Sequence, residues 1–164
     1  MRKFVAIDTH TFIWGVKKES SVGQEFMIPK TLRFFDYLWE DGYNIIIPTP
    51  VLGEALVPIP LDEHYKVLSK INRRMMLASY DPQSAAIFAD MYNSFKKNDE
   101  LNEYKKLHAV PRERVKIDYM IAAIAKTYKA ECIYSQDPHI TKFAGSFIDV
   151  KCIPDIPYQT EIIF

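Results

Sequence analysis

Short apolar runs alternate with amphipathic stretches along this chain, and this alternation is the feature that most restricts its fold. Continuous apolar runs of this kind are typical of strands that are covered on both faces. They occur at residues 4–7, 44–47, 75–78, 132–134 and 150–153. Because strands that alternate with helices form βαβ units, the pattern predicts an α/β domain with a mostly parallel sheet of about five strands.

The segments between these runs have helical periodicity. Apolar residues recur at helical spacing over residues 28–41 and 117–128, and Asp81-Pro82 is a typical helix start. Asp62 is predicted to cap a further helix that extends to about residue 74. The polar stretch 96–114 is predicted to form a surface helix and loop.

Length and composition favour one globular domain. The 164 residues are 48% hydrophobic and 26% charged, which excludes disorder, collagen and coiled coil. Lys plus Arg and Asp plus Glu are equal at 21 each, so a histone-like polycation is excluded, whereas a local nucleic-acid-binding patch is not. We therefore predict a single domain over residues 1–164.

Cysteine usage and hydropathy indicate the compartment. Cys132 and Cys152 form no CxxC pair and do not resemble a secreted disulfide framework. No apolar run reaches the roughly 18 residues of a membrane span, and the N-terminal run stops at Asp8, as in a first strand and unlike a signal peptide. These features predict a cytoplasmic protein without membrane association.

Four acidic residues stand where the predicted strands end or the following helices begin. Asp8 directly follows the first strand and Asp137 follows the fourth. Glu54 lies about one turn into the helix after the second strand, and Asp118 lies in the first turn predicted for the alanine-rich helix. Ligand sites in open α/β sheets lie outside the carboxyl ends of the strands, so we expect these acids to meet at one sheet edge.

Carboxylates that converge in this way repel one another, which raises some of their pKa values unless a cation is present. An all-oxygen ligand set suits Mg²⁺ or Mn²⁺. Such an ion activates water and neutralises charge on a phosphate, so the pattern predicts metal-assisted phosphodiester hydrolysis.

Each acid also has a purely structural interpretation. Asp137 fits a helix N-cap followed by proline, and Asp118 fits an acid that complements a helix N-terminus. Asp8 fits a turn, and Glu54 fits an exposed helix position. The argument for a site therefore depends on the four acids occurring together.

The segments that contain these acids resemble the motifs of the PIN-domain nucleases, the family that includes the toxin of VapBC toxin–antitoxin pairs. The matching segments, in the family's order, are FVAIDT at 4–9, PTPVLGE at 48–54, KIDYMIAAIA at 116–125, ECIYSQD at 131–137 and VKCIP at 150–154. The likeness covers most of the chain, and the third and fourth motifs together are specific. It implies a three-layer α/β/α fold with a parallel central sheet.

The resemblance also implies an activity, a cofactor and partners. It implies an endoribonuclease that depends on Mg²⁺ or Mn²⁺ and hydrolyses RNA, with Thr9 and Ser135 in supporting positions. A cognate antitoxin that lays an amphipathic helix in an apolar groove is the implied protein partner, and a homodimer is a further expectation. His139 stands where members often carry another acid, which leaves the number of metal ions open. The implied catalytic and metal-binding residues are Asp8, Glu54, Asp118 and Asp137.

Three basic residues immediately precede Asp118. Arg112, Arg114 and Lys116 would flank the entrance of an acidic metal site and contact RNA phosphates, with binding that weakens in salt. A solvated, partly paired surface run is the equally weighted alternative.

Other functions fit the sequence less well. A haloacid-dehalogenase phosphatase needs Asp-x-Asp after the first strand, but His10 occupies the second acidic position. A His-x-His hydrolase is excluded by Phe12, and the four histidines lack zinc-ligand spacing. No glycine-rich phosphate loop is present. The alternatives to a nuclease are a non-catalytic PIN-like module that binds RNA or protein and, behind it, a phosphatase or signalling receiver.

Overall fold

A computed structural model describes residues 2–157 and contains five strands. The two ends of the predicted domain, residue 1 and residues 158–164, lie outside this range. All strand pairs are parallel, and the strand order is β3-β2-β1-β4-β5. The predicted mostly parallel sheet is therefore confirmed. The strands are β1 (Lys3–Ile7), β2 (Tyr43–Pro48), β3 (Met75–Ala78), β4 (Ile133–Tyr134) and β5 (Val150–Lys151).

Helices flank this sheet in a three-layer α/β/α arrangement, as the resemblance implied. A π-helical turn, Ile13–Lys17, continues the first helix, and a 3₁₀ turn, Leu61–Glu63, precedes the fourth. Between residues 2 and 157, no helix is both long and apolar enough to cross a bilayer. The helices are α1 (Thr9–Phe12), α2 (Met27–Glu40), α3 (Thr49–Leu56), α4 (His64–Leu68), α5 (Pro82–Lys96), α6 (Asp99–Leu107), α7 (Arg112–Thr127) and α8 (Pro138–Ala144).

The central strands and the alanine-rich helix form the core. Residues 5–7 of β1 and 45–47 of β2 are buried, because both faces of the sheet are covered by helices. Ala122, Ala123 and Ala125 of α7 are fully buried, since small side chains allow a helix to lie close to its neighbours. The core of this domain thus holds α7, and with it Asp118, in a fixed position.

Two predicted helix boundaries are wrong. The helix predicted from Asp62 to about residue 74 runs only from His64 to Leu68, and Asp62 lies in the preceding 3₁₀ turn and does not cap it. After Leu68 the backbone bonds tighten to the i→i−3 type, and the Asn72 side chain accepts a hydrogen bond from the Arg74 N–H (2.8 Å) in the turn before β3. Helix α7 begins at Arg112, directly after the extended Pro111. Asp118 therefore lies in the second turn of α7, and the interpretation of Asp118 as a first-turn acid does not apply.

Substitution of Gly15, which packs against α2, tests how tightly this core is packed. A Cβ atom added to Gly15 would lie 2.3 Å from the Phe35 ring, whereas a Cβ at Gly53 in α3 would meet nothing within 4 Å. We expect Gly15→Ala to lower the free energy of unfolding by about 1–3 kcal/mol. Gly53→Ala is the matched control and should leave stability unchanged or raise it by about 0.5–1 kcal/mol. Urea denaturation measures both, and equal effects would contradict the packing.

Candidate active site

The candidate site lies where the direction of strand connection reverses. From β1 the chain continues to β2 and β3 on one side, whereas β4 leads to β5 on the other. The two inner strands β1 and β4 are paired, with Ile7 opposite Tyr134. A reversal of this kind opens a crevice outside the carboxyl ends of the strands. Asp8 and Asp137 follow these two strand ends, so the topology itself brings them close together.

Asp8 is held by hydrogen bonds to both carboxylate oxygens. Its Oδ1 accepts from the Thr11 backbone N–H (2.9 Å), which makes Asp8 the N-cap of α1. Its Oδ2 accepts from the Ser135 hydroxyl. The residue is buried, with 5% of its surface exposed. Asp8 thus has one fixed orientation that its helix and the adjoining β4 exit impose together.

Ser135 connects the acids at the two strand ends. While its hydroxyl donates to Asp8, its Oγ accepts from the Asp137 backbone N–H (3.0 Å). Asp137 in turn caps α8, because its Oδ1 accepts from the His139 N–H (2.8 Å). The structure therefore places Ser135 in contact with two of the four predicted acids.

Glu54 reaches the same region from α3. The Thr9 hydroxyl donates a hydrogen bond to Glu54 Oε2. Thr9 is the first residue of α1, directly after Asp8, so this contact ties Glu54 to the end of β1. The Thr9 side chain is thus hydrogen-bonded to one of the four predicted acids.

Asp118 is the most deeply buried acid of the four, with 3% of its surface exposed. Its Oδ2 is buried and has no hydrogen-bond partner. The pKa of Asp118 is raised to about 7, chiefly by burial; Arg114 lowers this pKa, and the charges of Asp137, Glu54 and Asp8 contribute to the rise. The Asp118 carboxyl therefore has Arg114 as a partial counter-charge but no hydrogen-bond donor at Oδ2.

Arg114 is the one predicted RNA contact that lies among the acids. Its guanidinium forms an ion pair with Asp137 Oδ2, and its Nε lies 3.5 Å from Asp118 Oδ1. Although burial disfavours its charge, the carboxylates of Asp118, Asp137 and Glu54 raise the pKa of Arg114. Since one guanidinium faces several carboxylates, it compensates only part of their charge.

Arg112 and Lys116, the other two basic residues, do not line the cavity of the acids. The Arg112 Nε donates to the Tyr92 hydroxyl (2.9 Å) on α5, and Lys116 is half-buried on α7. Of the three, only Arg114 lines the cavity between the acids. Contact of these three residues with RNA stays a prediction, and the spacing of four between Arg114 and Asp118 is a signal from which their ion pair could have been predicted.

The four predicted acids share one small cavity of about 70 Å³. Its lining residues are Asp8, Thr9, His10, Glu54, Arg114, Asp118, Ile121, Asp137 and Ile140.

The residues of this cavity fit a hard divalent ion by their chemistry. All four acids offer oxygen donors, and the partnerless Asp118 Oδ2 is a buried acceptor of the kind that a cation satisfies. As they stand, however, no three His, Cys, Asp or Glu side chains in residues 2–157 are grouped to hold a metal ion. In this arrangement Arg114 contacts both Asp118 and Asp137.

His139 was not assigned a role by the sequence, and the structure gives it a definite partner. Its Nδ1 lies 3.0 Å from the Tyr104 hydroxyl of α6. A residue from the stretch predicted as a surface excursion therefore contacts the helix that Asp137 caps. No local pattern predicts this contact, because the two residues are 35 positions apart.

Comparisons with known proteins support the fold. No protein-family model matches the sequence, and no curated protein matches it. Two similar solved structures are VapBC2 from Rickettsia felis bound to a DNA fragment from their promoter, and DNA-bound VapBC from Salmonella typhimurium. The first match has 12% identity and a TM-score of 0.62, and it covers 91% of this chain and 98% of that chain.

The second match has 17% identity and the same TM-score of 0.62, and it covers 94% of this chain and 100% of that chain. Likeness at such low identity concerns the fold alone. The chain therefore has the PIN-like fold that the sequence motifs implied.

The burial of Asp118 predicts how stability depends on pH. An acid whose pKa is higher in the folded state than in the unfolded state makes the fold less stable as the pH rises between the two values. The free energy of unfolding should therefore decrease as the pH rises from 3.8, the pKa of the unfolded state, to about 7, the pKa of the folded state. Asp118→Asn removes this effect and should stabilise the metal-free protein at pH above 7 by about 1–4 kcal/mol.

Urea denaturation in EDTA at acidic and alkaline pH measures this difference. Asp90→Asn, on the exposed side of α5, is the matched control and should change little. A loss of stability in Asp118→Asn at alkaline pH would show that its carboxylate is well compensated.

Proposed function

We propose that this protein is an endoribonuclease that depends on a divalent cation, and that it is the toxin of a toxin–antitoxin pair. The observation that carries the proposal is the convergence of four carboxylates on one cavity at the β1–β4 switch point, with a buried Asp118 oxygen that lacks a partner. The fold likeness to chains of VapBC complexes supports the toxin assignment.

Each acid has a definite part in this proposal. Asp8, Asp118 and Asp137 would hold the principal ion, and Glu54 would orient water or a second ion. When bound, Mg²⁺ or Mn²⁺ lowers the pKa of a water molecule and places positive charge next to the phosphate. In-line attack by water would leave a 5′-phosphate and a 3′-hydroxyl.

The hydrogen bonds described above would keep the acids in place for this reaction. Ser135 orients Asp8, and Thr9 orients Glu54. Backbone N–H groups in the first turns of α1 and α8 donate to Oδ1 of Asp8 and Oδ1 of Asp137, so these carboxylates cannot rotate freely. Arg114 would exchange its two carboxylate partners for the phosphate of the substrate, an anion that its guanidinium binds equally well.

Loss of a single acid tests the proposed activity. We expect Asp8→Asn and Asp118→Asn each to reduce cleavage of single-stranded RNA roughly 100-fold or more, because the charge that positions the cation and the transition state is reduced. Cleavage in Mn²⁺ is followed on a gel, and the fragment ends are identified. Asp90→Asn should cleave as the wild type does.

Two outcomes would contradict the proposal. Wild-type cleavage by both Asn variants would mean that the acids are not catalytic. RNA binding without cleavage, and without a rise in melting temperature on addition of Mn²⁺, would favour the alternative of a non-catalytic PIN-like module, because a ligand that binds only the folded state must stabilise it.

The position of Arg114 predicts its effect on metal affinity. Because its guanidinium competes with a cation for Asp118 and Asp137, Arg114→Ala should lower the Mn²⁺ concentration needed for half-maximal stabilisation. An ion pair worth about 1 kcal/mol corresponds to a change of about fivefold. Arg112→Ala, which removes a cation from the same helix turn but outside the cavity, is the matched control.

A Mn²⁺ titration followed by thermal unfolding makes this measurement. An unchanged midpoint in Arg114→Ala, or an equal shift in both variants, would show that Arg114 does not compete with the ion.

The proposed antitoxin needs an apolar surface to cover. Leu61, Tyr65 and Leu68 recur at spacings of four and three along the 3₁₀ turn and α4, and all three are exposed. Val57 extends the row towards α3 and is 83% exposed. An amphipathic helix is a partner that such a row accepts. We therefore propose this row as the docking surface for the antitoxin.

A further inference from the structure

Helix α6, formed by the polar stretch between α5 and α7, is fastened to α8 beside the acidic cavity. The Tyr104 hydroxyl lies 3.0 Å from His139 Nδ1, and the Tyr104 ring packs edge-on against Phe143 with 5.6 Å between centroids. Glu100 forms an ion pair with Lys142. The Tyr104 contacts hold α6 next to the helix that Asp137 caps, whereas the Glu100–Lys142 pair is exposed and adds little.

A second cavity of about 520 Å³ opens at this junction. Asp137 lines both this cavity and the acidic cavity, and Ser135, which also lines it, donates a hydrogen bond to Asp8. The two cavities therefore adjoin at Asp137. A group bound in the second cavity would be adjacent to whatever reacts in the first.

The lining of the second cavity combines apolar surface with hydrogen-bond donors. Tyr104, Pro138 and Cys152 supply the apolar part. The side-chain oxygen Oε1 of Gln136 accepts a hydrogen bond from the Ile153 N–H (3.0 Å). The side-chain NH₂ of Gln136 can therefore donate to a ligand. Single-stranded RNA is recognised by this combination, with bases against aromatic rings and hydrogen bonds to the base edges.

Lys142 adds a positive charge at the same cavity. Its Nζ lies 5.7 Å from the Tyr104 ring centroid. Its partner Glu100 has a side chain that is 76% exposed, and ion pairs with such exposed groups are weak. Lys142 can therefore turn from Glu100 towards a phosphate and leave the Tyr104 ring to a base.

We propose that this cavity is a nucleotide subsite that binds the base next to the cleaved phosphodiester and gives the enzyme a base preference. Tyr104 and Gln136 are the specificity-determining residues, and Lys142 binds the adjoining phosphate. The inference rests on the proposed nuclease function, because the shared residue Asp137 is what places the base beside the reacting phosphate. The size of the cavity is in the range that small ligands occupy, about 300–1,000 Å³.

The two cysteines provide a direct probe of this subsite. Cys152 lines the cavity and is exposed, whereas Cys132 is buried, so iodoacetamide should modify Cys152 selectively. The Asp8→Asn chain in Mg²⁺ is mixed with single-stranded RNA hexamers of A, C, G or U, and the alkylation rate of Cys152 is measured by mass spectrometry. We expect one hexamer to slow alkylation at a concentration about tenfold or more below the others.

Substitution of Tyr104 tests the contact to the base. Tyr104→Ala should weaken binding of the preferred hexamer about 5- to 100-fold and remove the preference, since base–aromatic contacts have this magnitude. Tyr104→Phe keeps the ring and should retain the preference. Tyr37→Ala, an exposed tyrosine of α2, is the matched control and should bind as the parent does.

Because Tyr104 packs against Phe143, its loss could also disturb the fold. Cys152→Trp therefore serves as a second variant, since it fills the cavity from an exposed position and should block the hexamer without unfolding the chain. Circular dichroism verifies the fold of each variant. Because this variant has lost the alkylated thiol, its binding is measured by fluorescence anisotropy of the labelled hexamer, beside the Asp8→Asn parent. The proposal is overturned if all four hexamers protect Cys152 equally or not at all, or if Cys152→Trp binds the preferred hexamer unchanged.

The subsite and the proposed function fail in different ways. Cleavage of RNA by the wild type with no base-dependent protection of Cys152 would overturn the subsite and leave the nuclease proposal intact. Base-dependent protection in a chain whose wild type does not cleave RNA would support a base-binding cavity and overturn the nuclease proposal.

Discussion

Repulsion between carboxylates at the carboxyl ends of β1 and β4 is the constraint on which the rest of this structure depends. Four acids line one small cavity, and burial of Asp118 makes its charge costly. Arg114 compensates Asp118 and Asp137 in part. A core built on the buried strands and on α7 supplies the stability that holds such a cluster together. The acidic cavity is thus a local cost that the surrounding packing has to offset.

The structural and the functional interpretations of the acids apply to the same atoms. Asp8 caps α1 and Asp137 caps α8, each through one oxygen, while the other oxygen faces Ser135 or Arg114. A cap holds a carboxylate rigidly, and rigidity is what a catalytic or metal-binding acid needs. A helix cap at a strand exit is therefore compatible with a site and is one way to build it.

The polar stretch between α5 and α7 shapes the surroundings of the site. Helix α6 packs on α8 through Tyr104 and His139. A cavity larger than the acidic one lies at this junction. In the proposed nuclease, this junction concerns which RNA is bound rather than how it is cut.

Much of the architecture could be predicted from the sequence by itself, because hydrophobic periodicity and cap residues are local signals. The apolar runs predicted the parallel sheet, and the acids that follow them predicted where a site would lie. Local signals failed at residues 62–74, where the helix covers only His64–Leu68, and at the start of α7. Only the tertiary structure decided that Arg114 also meets Asp137, and that Tyr104 meets His139. These two contacts join segments far apart in the chain, and they depend on helix packing and side-chain rotamers, which periodicity does not encode.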